Sequence, residues 1–172
     1  MKIQTVTEEN RAKVYALLHR AFPGSDQEAG LVQNLHGNGR AMHEWVCIHT
    51  NKVIAYIAFS NAYHGSNICG LHLAPMAVAP DFQKQGVGTE LLRFALRQEA
   101  IKNQPLFVLG PPGYYHRFGF EPCSMPICPF DTDNAHFLSM RNTTIAGFVV
   151  GYEPEFKAAA SPRPQGKKRR TR

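Results

Sequence analysis

Between Val78 and Thr89 the chain leaves an apolar stretch, turns at Pro80 and enters Gln83-Lys84-Gln85-Gly86-Val87-Gly88-Thr89, where a helical pattern begins. The start of a helix leaves several backbone N–H groups without partners and carries the positive end of the helix dipole. Gly86 and Gly88 remove the side chains that would hold an anion away from those groups. A phosphate or pyrophosphate is the natural guest, which makes this stretch a candidate cofactor site. It is not a Walker-type loop, because no Gly-Lys-Ser/Thr follows the first glycine.

These groups need elements to position them. Lys2 to Val6 reads as a first strand, and Thr7 is placed as the N-cap of a helix carrying Val14, Leu17, Leu18, Ala21 and Phe22 at helical spacing. Pro23-Gly24 ends that helix, and a second, with Leu31, Val32 and Leu35, runs to Gly37. Strands are expected over Glu44–His49 and Lys52–Asn61, then over Gly70–Ala79 after a loop around His64–Asn67. Pro75 lies inside the last of these and cannot donate to a sheet ladder, so a bulge is expected there. The helix after the glycine loop carries Val87, Leu91, Leu92 and Ala95 on one side. Leu106–Leu109 is continuously apolar, as a strand buried on both faces should be. A brief helix over Tyr114–Phe118 and a last strand over Ala135–Met140 follow.

At 172 residues with 44% hydrophobic content, the chain is long enough for one globular domain. No apolar run approaches the roughly 20 residues of a membrane span, and the N-terminus lacks the apolar core of a secretory signal. Four scattered cysteines suggest no disulfide scaffold, which points to a reducing cytoplasm. The net charge of +6 is local: seven of the 19 basic residues lie in 157–172, which holds no acid, so the body is near neutral. The chain is therefore divided into a domain over 1–156 and a basic tail over 157–172, expected to be disordered.

Strand, bulge, glycine loop, helix, buried strand and short Tyr helix, in that order, resemble the GCN5-related N-acetyltransferase (GNAT) superfamily. Gln83-Lys84-Gln85-Gly86-Val87-Gly88 matches its pyrophosphate-binding motif, and Tyr115-His116-Arg117-Phe118-Gly119-Phe120 looks like its Tyr-x-x-x-Gly-Phe element. The run from Leu109 to Pro122 is close to the YhbS-like branch. The resemblance implies an α/β fold with a mixed, strongly twisted central sheet, helices on both faces, and a bulged strand opening a cofactor cleft. It further implies an N-acetyltransferase that moves an acetyl group from acetyl-CoA to a primary amine of a small molecule or a protein. Met76, Ala77 and Val78 would bond the pantetheine amides, and the N–H groups of Lys84, Gln85, Gly86, Val87, Gly88 and Thr89 would hold the pyrophosphate. Gln83 completes the motif. Tyr115 would protonate the departing thiolate; Tyr114 does not align with the family tyrosine.

The base that deprotonates the amine is left open among His72, Glu44 and His64. The same cofactor site suits a non-catalytic acyl-CoA-binding sensor or adaptor, recruited to an anionic partner by Lys167-Lys168-Arg169-Arg170. That cluster has no interleaved aromatics for base stacking on nucleic acid. Cys123, Cys128 and His136 fall short of the four ligands of a closed zinc site, so no metal is expected. The Cys123–Asn134 stretch, rich in Pro and apolar residues, suits an uncharged or partly apolar acceptor.

Overall fold

A computed structural model describes residues 1–160. Seven strands form one sheet in the order β1-β2-β3-β4-β5-β7-β6. The strands are β1 (Lys2–Thr5), β2 (Met42–His49), β3 (Lys52–His64), β4 (Asn67–Val78), β5 (Leu106–Leu109), β6 (Glu121–Pro122) and β7 (Phe137–Met140). The helices are α1 (Glu8–Ala21), α2 (Gln27–Gly37), α3 (Val87–Leu96), α4 (Pro112–Tyr115) and α5 (Pro154–Ala160). All pairings are antiparallel except β4 with β5. The fold is thus α/β with a mixed, twisted sheet.

β3 is buried without a break from Val53 to Ser60, which requires cover on both faces of the sheet. Partners across the ladder share a face. On one face Trp45 of β2 packs edge-on against Phe59 of β3 and Phe94 of α3. On the other, the Tyr56 hydroxyl donates to Glu44, which meets His36 of α2, which in turn meets Tyr15 of α1. Thr7 stands at the N-cap of α1, where its N–H donates to Asn10 Oδ1 at 2.9 Å.

Two expectations need correcting. The loop around His64–Asn67 is only a tight turn, since β3 and β4 pair all the way to His64 and Asn67. The pattern hid this because polar Ser60, Asn61 and Asn67 interrupt the apolar alternation. The tail expected to be disordered from residue 157 begins inside α5, and residues 157–160 are helical. α5 is fixed because Phe156 packs against Leu31 and Leu35. Arg40 Nε also donates to Glu155 Oε1 at 2.7 Å, with Asn38 Nδ2 2.9 Å from the same oxygen. A helix of seven residues owes its stability to such contacts rather than to its own propensity, so composition alone did not announce it. Residues 161–172, with the Lys167–Arg170 cluster, lie outside the described residues.

Candidate functional site

The bulge lies where Pro75 placed it. Ile57 pairs with Met76 and Phe59 with Leu73, so Ala74 and Pro75 face the single residue Ala58. An extra residue bends its strand and ends regular pairing. The parallel ladder between β4 and β5 accordingly covers only Leu71–Leu73 and Leu106–Val108. Beyond it β4 stays with β3, while β5 continues against β7 up to Leu109. The two central strands diverge and leave a V-shaped gap with an unpaired β4 edge.

A cleft of about 530 Å³ opens at that edge, walled by Met76, Ala77 and Val78 on one side and by the start of α3 on the other. Gly86 sits at the N-cap with φ 82°, a left-handed conformation that glycine adopts without strain. Lys84, Gly86, Val87, Gly88 and Thr89 all line the cleft. At Gly88 a Cβ would stand 3.2 Å from Val78 Cγ2 and 3.4 Å from the Tyr114 hydroxyl, so any side chain there fills the space. The unpaired N–H groups of the first α3 turn and the positive end of its dipole therefore face the open cleft.

Two motif residues play another part. Gln83 Nε2 donates to the Val78 carbonyl at 3.0 Å, which ties the loop to the end of β4, although Gln83 still borders the cleft. Gln85 Nε2 donates to the Asp81 carbonyl at 2.9 Å, and Gln85 is not among the lining residues. Both side chains brace the loop that presents the N–H groups.

Tyr114 and Arg117, given no cofactor role above, also wall the cleft. Arg117 Nη2 donates to Thr89 Oγ1 at 3.2 Å, and its guanidinium lies 5.1 Å from the centre of the Tyr114 ring. That brings a cation to the mouth of the cleft. The available signal was the three-residue spacing of Tyr114 and Arg117 on one short helical turn. Phe22 at the end of α1 and Phe82 complete the apolar part of the wall, and no local motif marks them.

Tyr115 is buried rather than lining this cleft. Its ring packs edge-on to Phe120 and Tyr114. A Cβ on Gly110 would lie 2.6 Å from Tyr115 Cε2, so the ring rests on the backbone just past the end of β5. Burial, and after it the neighbouring Tyr114, pushes its hydroxyl up to about 12.

Of the bases considered, none borders the cleft. Glu44 accepts from the Tyr56 hydroxyl at 2.6 Å and contacts His36 Nε2 at 2.7 Å. His64 stacks on Phe148 at the exposed end of the β3–β4 hairpin. His72 is buried with Nε2 2.9 Å from the Gly151 carbonyl and its ring stacked on Tyr152 at 3.6 Å.

Desolvation pushes His72 from 6.5 down to about 4. Above pH 6.5 the imidazole is neutral in both folded and unfolded chains; as pH falls toward 4, only the unfolded chain takes up the proton. Stability is therefore lost with acidification across that window, by roughly 3 kcal/mol in full. Urea unfolding at pH 7 and pH 4 should show His72→Gln losing less stability than the unaltered protein, and equal losses would contradict this account.

Among the described residues no group of three His, Cys, Asp or Glu side chains is placed to hold a metal ion. No helix there is long and apolar enough to cross a membrane.

The acetyltransferase (GNAT) domain family matches residues 40–122, a span that runs from the approach to β2 through the cleft strands, the glycine loop and α4. The crystal structure of the GNAT family N-acetyltransferase YhbS from Escherichia coli, in complex with CoA, superposes with a TM-score of 0.81 over 91% of each chain at 26% identity. Residues 40–122 of this chain belong to the GNAT domain family. A GNAT family acetyltransferase from Brucella melitensis, solved with acetyl-CoA, gives a TM-score of 0.75 over 90% of this chain and 97% of that one, at 25% identity. In sequence, the uncharacterized N-acetyltransferase YjhQ of Escherichia coli strain K12 is 36% identical over 61% of this chain and 61% of its own length. YhbS of the same strain is 35% identical over 62% of this chain and 65% of its own. The matched stretch thus spans less than two thirds of either curated relative.

Proposed function

We propose that this GNAT domain is an acetyl-CoA-dependent N-acetyltransferase acting on a primary amine. The observation that carries the reading is the coincidence of three features: a bulged β4 parting from β5, an unpaired β4 edge at Met76–Val78, and two glycines exposing the start of α3 in the same cleft. An extended pantetheine arm adds to the free β4 edge as a missing strand, with its amides bonded at Met76, Ala77 and Val78. The pyrophosphate sits on the N–H groups from Lys84 to Thr89, with the Arg117 cation beside it. Residues 1–156 carry this activity, and the four free cysteines suit a reducing compartment such as the cytoplasm.

The amine nitrogen attacks the thioester carbonyl, a C–N bond forms, and the C–S bond breaks. The proton lost by nitrogen balances the one gained by sulfur. Tyr115 donates to the departing thiolate. Its support is the position of the ring on Gly110, where β5 leaves β4, whereas the Tyr114 hydroxyl points toward Gly88 and the pyrophosphate end.

A melting experiment with acetyl-CoA and CoA, and NAD as a control, tests the reading. Ligand at a hundred times its dissociation constant adds about 2.7 kcal/mol, a rise of roughly 5–10 °C for a domain of this size. Release of free CoA thiol should then depend on an added amine. No rise with millimolar acetyl-CoA would overturn the proposal.

A further inference from the structure

A second cavity, of about 240 Å³, lies between α1 and the β2–β3 turn. Lys13, Ala16 and Arg20 are spaced by three and four residues, so they form one stripe on the helix. Opposite them the two-residue turn Thr50-Asn51, with φ of 50° and 59°, reverses the chain and presents Asn51 and Lys52. These residues and Val53 wall the cavity, so three of its six lining residues are cations and none is an acid. Among the described residues, no carboxylate lies within ion-pair distance of Lys13, Arg20 or Lys52. Like charges gathered without counter-ions repel one another and leave a positive potential that an anion relieves.

This cavity adjoins the cofactor cleft. Ala21 and Phe22, directly after Arg20, wall the cleft. On the sheet side, Phe82 of the cleft wall packs edge-on against His49 at 5.7 Å, and His49 pairs with Lys52 across the turn. The Ala79 N–H also donates to the Ile54 carbonyl at 2.8 Å, which ties the start of β3 to the segment leading into the glycine loop. The three cations therefore stand at the Val78 end of the cleft. Lys84 and Arg117 line the cleft itself, and no Asp or Glu lines either cavity. Positive charge thus continues from the glycine loop, past Arg20, into the second cavity.

We propose that this basic cavity holds the 3′-phosphate on the ribose of CoA, and that Lys13, Arg20 and Lys52 select CoA over dephospho-CoA, which lacks that phosphate. The inference rests on the acetyl-CoA reading and extends it to the far end of the cofactor. With the pantetheine on Met76–Val78 and the pyrophosphate at the start of α3, the adenosine leaves the cleft at its Val78 end. The ribose phosphate is the cofactor's remaining charge there. Arg20 offers a planar fork that matches two phosphate oxygens, whereas Lys13 and Lys52 act as point charges from the helix and the turn. Asn51 adds a neutral side-chain donor. The glycine loop cannot make this distinction, because CoA and dephospho-CoA carry the same pyrophosphate.

Calorimetric titrations with CoA and dephospho-CoA decide it, run on the unaltered protein, Arg20→Gln and the triple variant Lys13→Gln/Arg20→Gln/Lys52→Gln. All three residues are exposed, so the variants should melt without ligand as the unaltered protein does. The unaltered protein should bind CoA about tenfold or more tightly than dephospho-CoA, the scale of one charge-assisted contact. Arg20→Gln should cut that preference by about threefold or more, as expected for one of three cations sharing a phosphate at an exposed site. The triple variant should bind the two ligands alike, with its affinity for dephospho-CoA unchanged. Equal affinity of the unaltered protein for both ligands overturns the inference while the acetyl-CoA reading stands. So does a preference that survives in the triple variant. A triple variant that weakens both ligands by the same factor overturns it too, since the cations then act only through the general field of the cleft. If neither ligand binds, the acetyl-CoA reading fails, and this inference fails with it.

Discussion

Tyr115→Phe is expected to lower kcat by about 10²- to 10⁴-fold, the range for removing a general acid, while the melting temperature still rises with CoA. The substitution keeps the ring on Gly110 and its edge contacts with Phe120 and Tyr114, so the fold and the cofactor cleft are untouched. Only the proton donor is lost. Tyr114→Phe removes a hydroxyl at the Gly88 end of the cleft, so it should weaken CoA binding modestly and leave kcat close to that of the unaltered protein. A reversal of the two phenotypes would move the donor role to Tyr114, and normal turnover in both variants would remove tyrosine from the mechanism. The pH dependence has a definite sign. Burial pushes the Tyr115 hydroxyl up to about 12, so it stays protonated as pH rises through 10. Loss of the donor should therefore impose no fall in kcat at pH 10, where an ordinary tyrosine would be half ionised.

Gly88→Asp should abolish cofactor binding without unfolding the domain. Gly88 is the second residue of α3, where an acid interacts favourably with the helix dipole, so the helix itself is not harmed. The new Cβ needs Val78 Cγ2, 3.2 Å away, to give by only a few tenths of an ångström. The carboxylate, however, then occupies the space meant for the pyrophosphate and repels it. A drop in CoA affinity of at least a hundredfold, about 2.7 kcal/mol, is expected by calorimetry. The melting temperature without ligand should stay within a few degrees, and the rise with CoA should disappear. Unchanged CoA affinity would show that the anion does not bind at this helix start.

Local chemistry was legible in the residues themselves. Gly86, Gly88 and the apolar periodicity of Val87, Leu91, Leu92 and Ala95 announce a helix start open to an anion, because the conformational freedom and the hydrophobic face belong to those residues. Pro75 announces the bulge for the same kind of reason: a missing N–H breaks a ladder wherever the strand is placed. The structure bears out the helix start at Gly86 and the bulge at Pro75. The strands from Glu44 to His49 and from Leu106 to Leu109 are equally direct, since apolar runs of that length need burial.

What depends on neighbours distant in sequence was settled only by tertiary packing. His72 is one of three open candidates for the base in the sequence, and only the fold shows that Tyr152 and Gly151, some eighty residues away, stack and bond it inside the core. α5 is invisible to propensity because Leu31, Leu35 and Arg40 hold it. Arg117 enters the cleft only once α4 has folded against the start of α3. The gathering of Lys13 and Arg20 with Lys52 around one cavity exists in no local pattern. A motif fixes what its own backbone and side chains can do, whereas the side chain that the β2–β3 turn presents beside α1 is set by the register of β3 between β2 and β4.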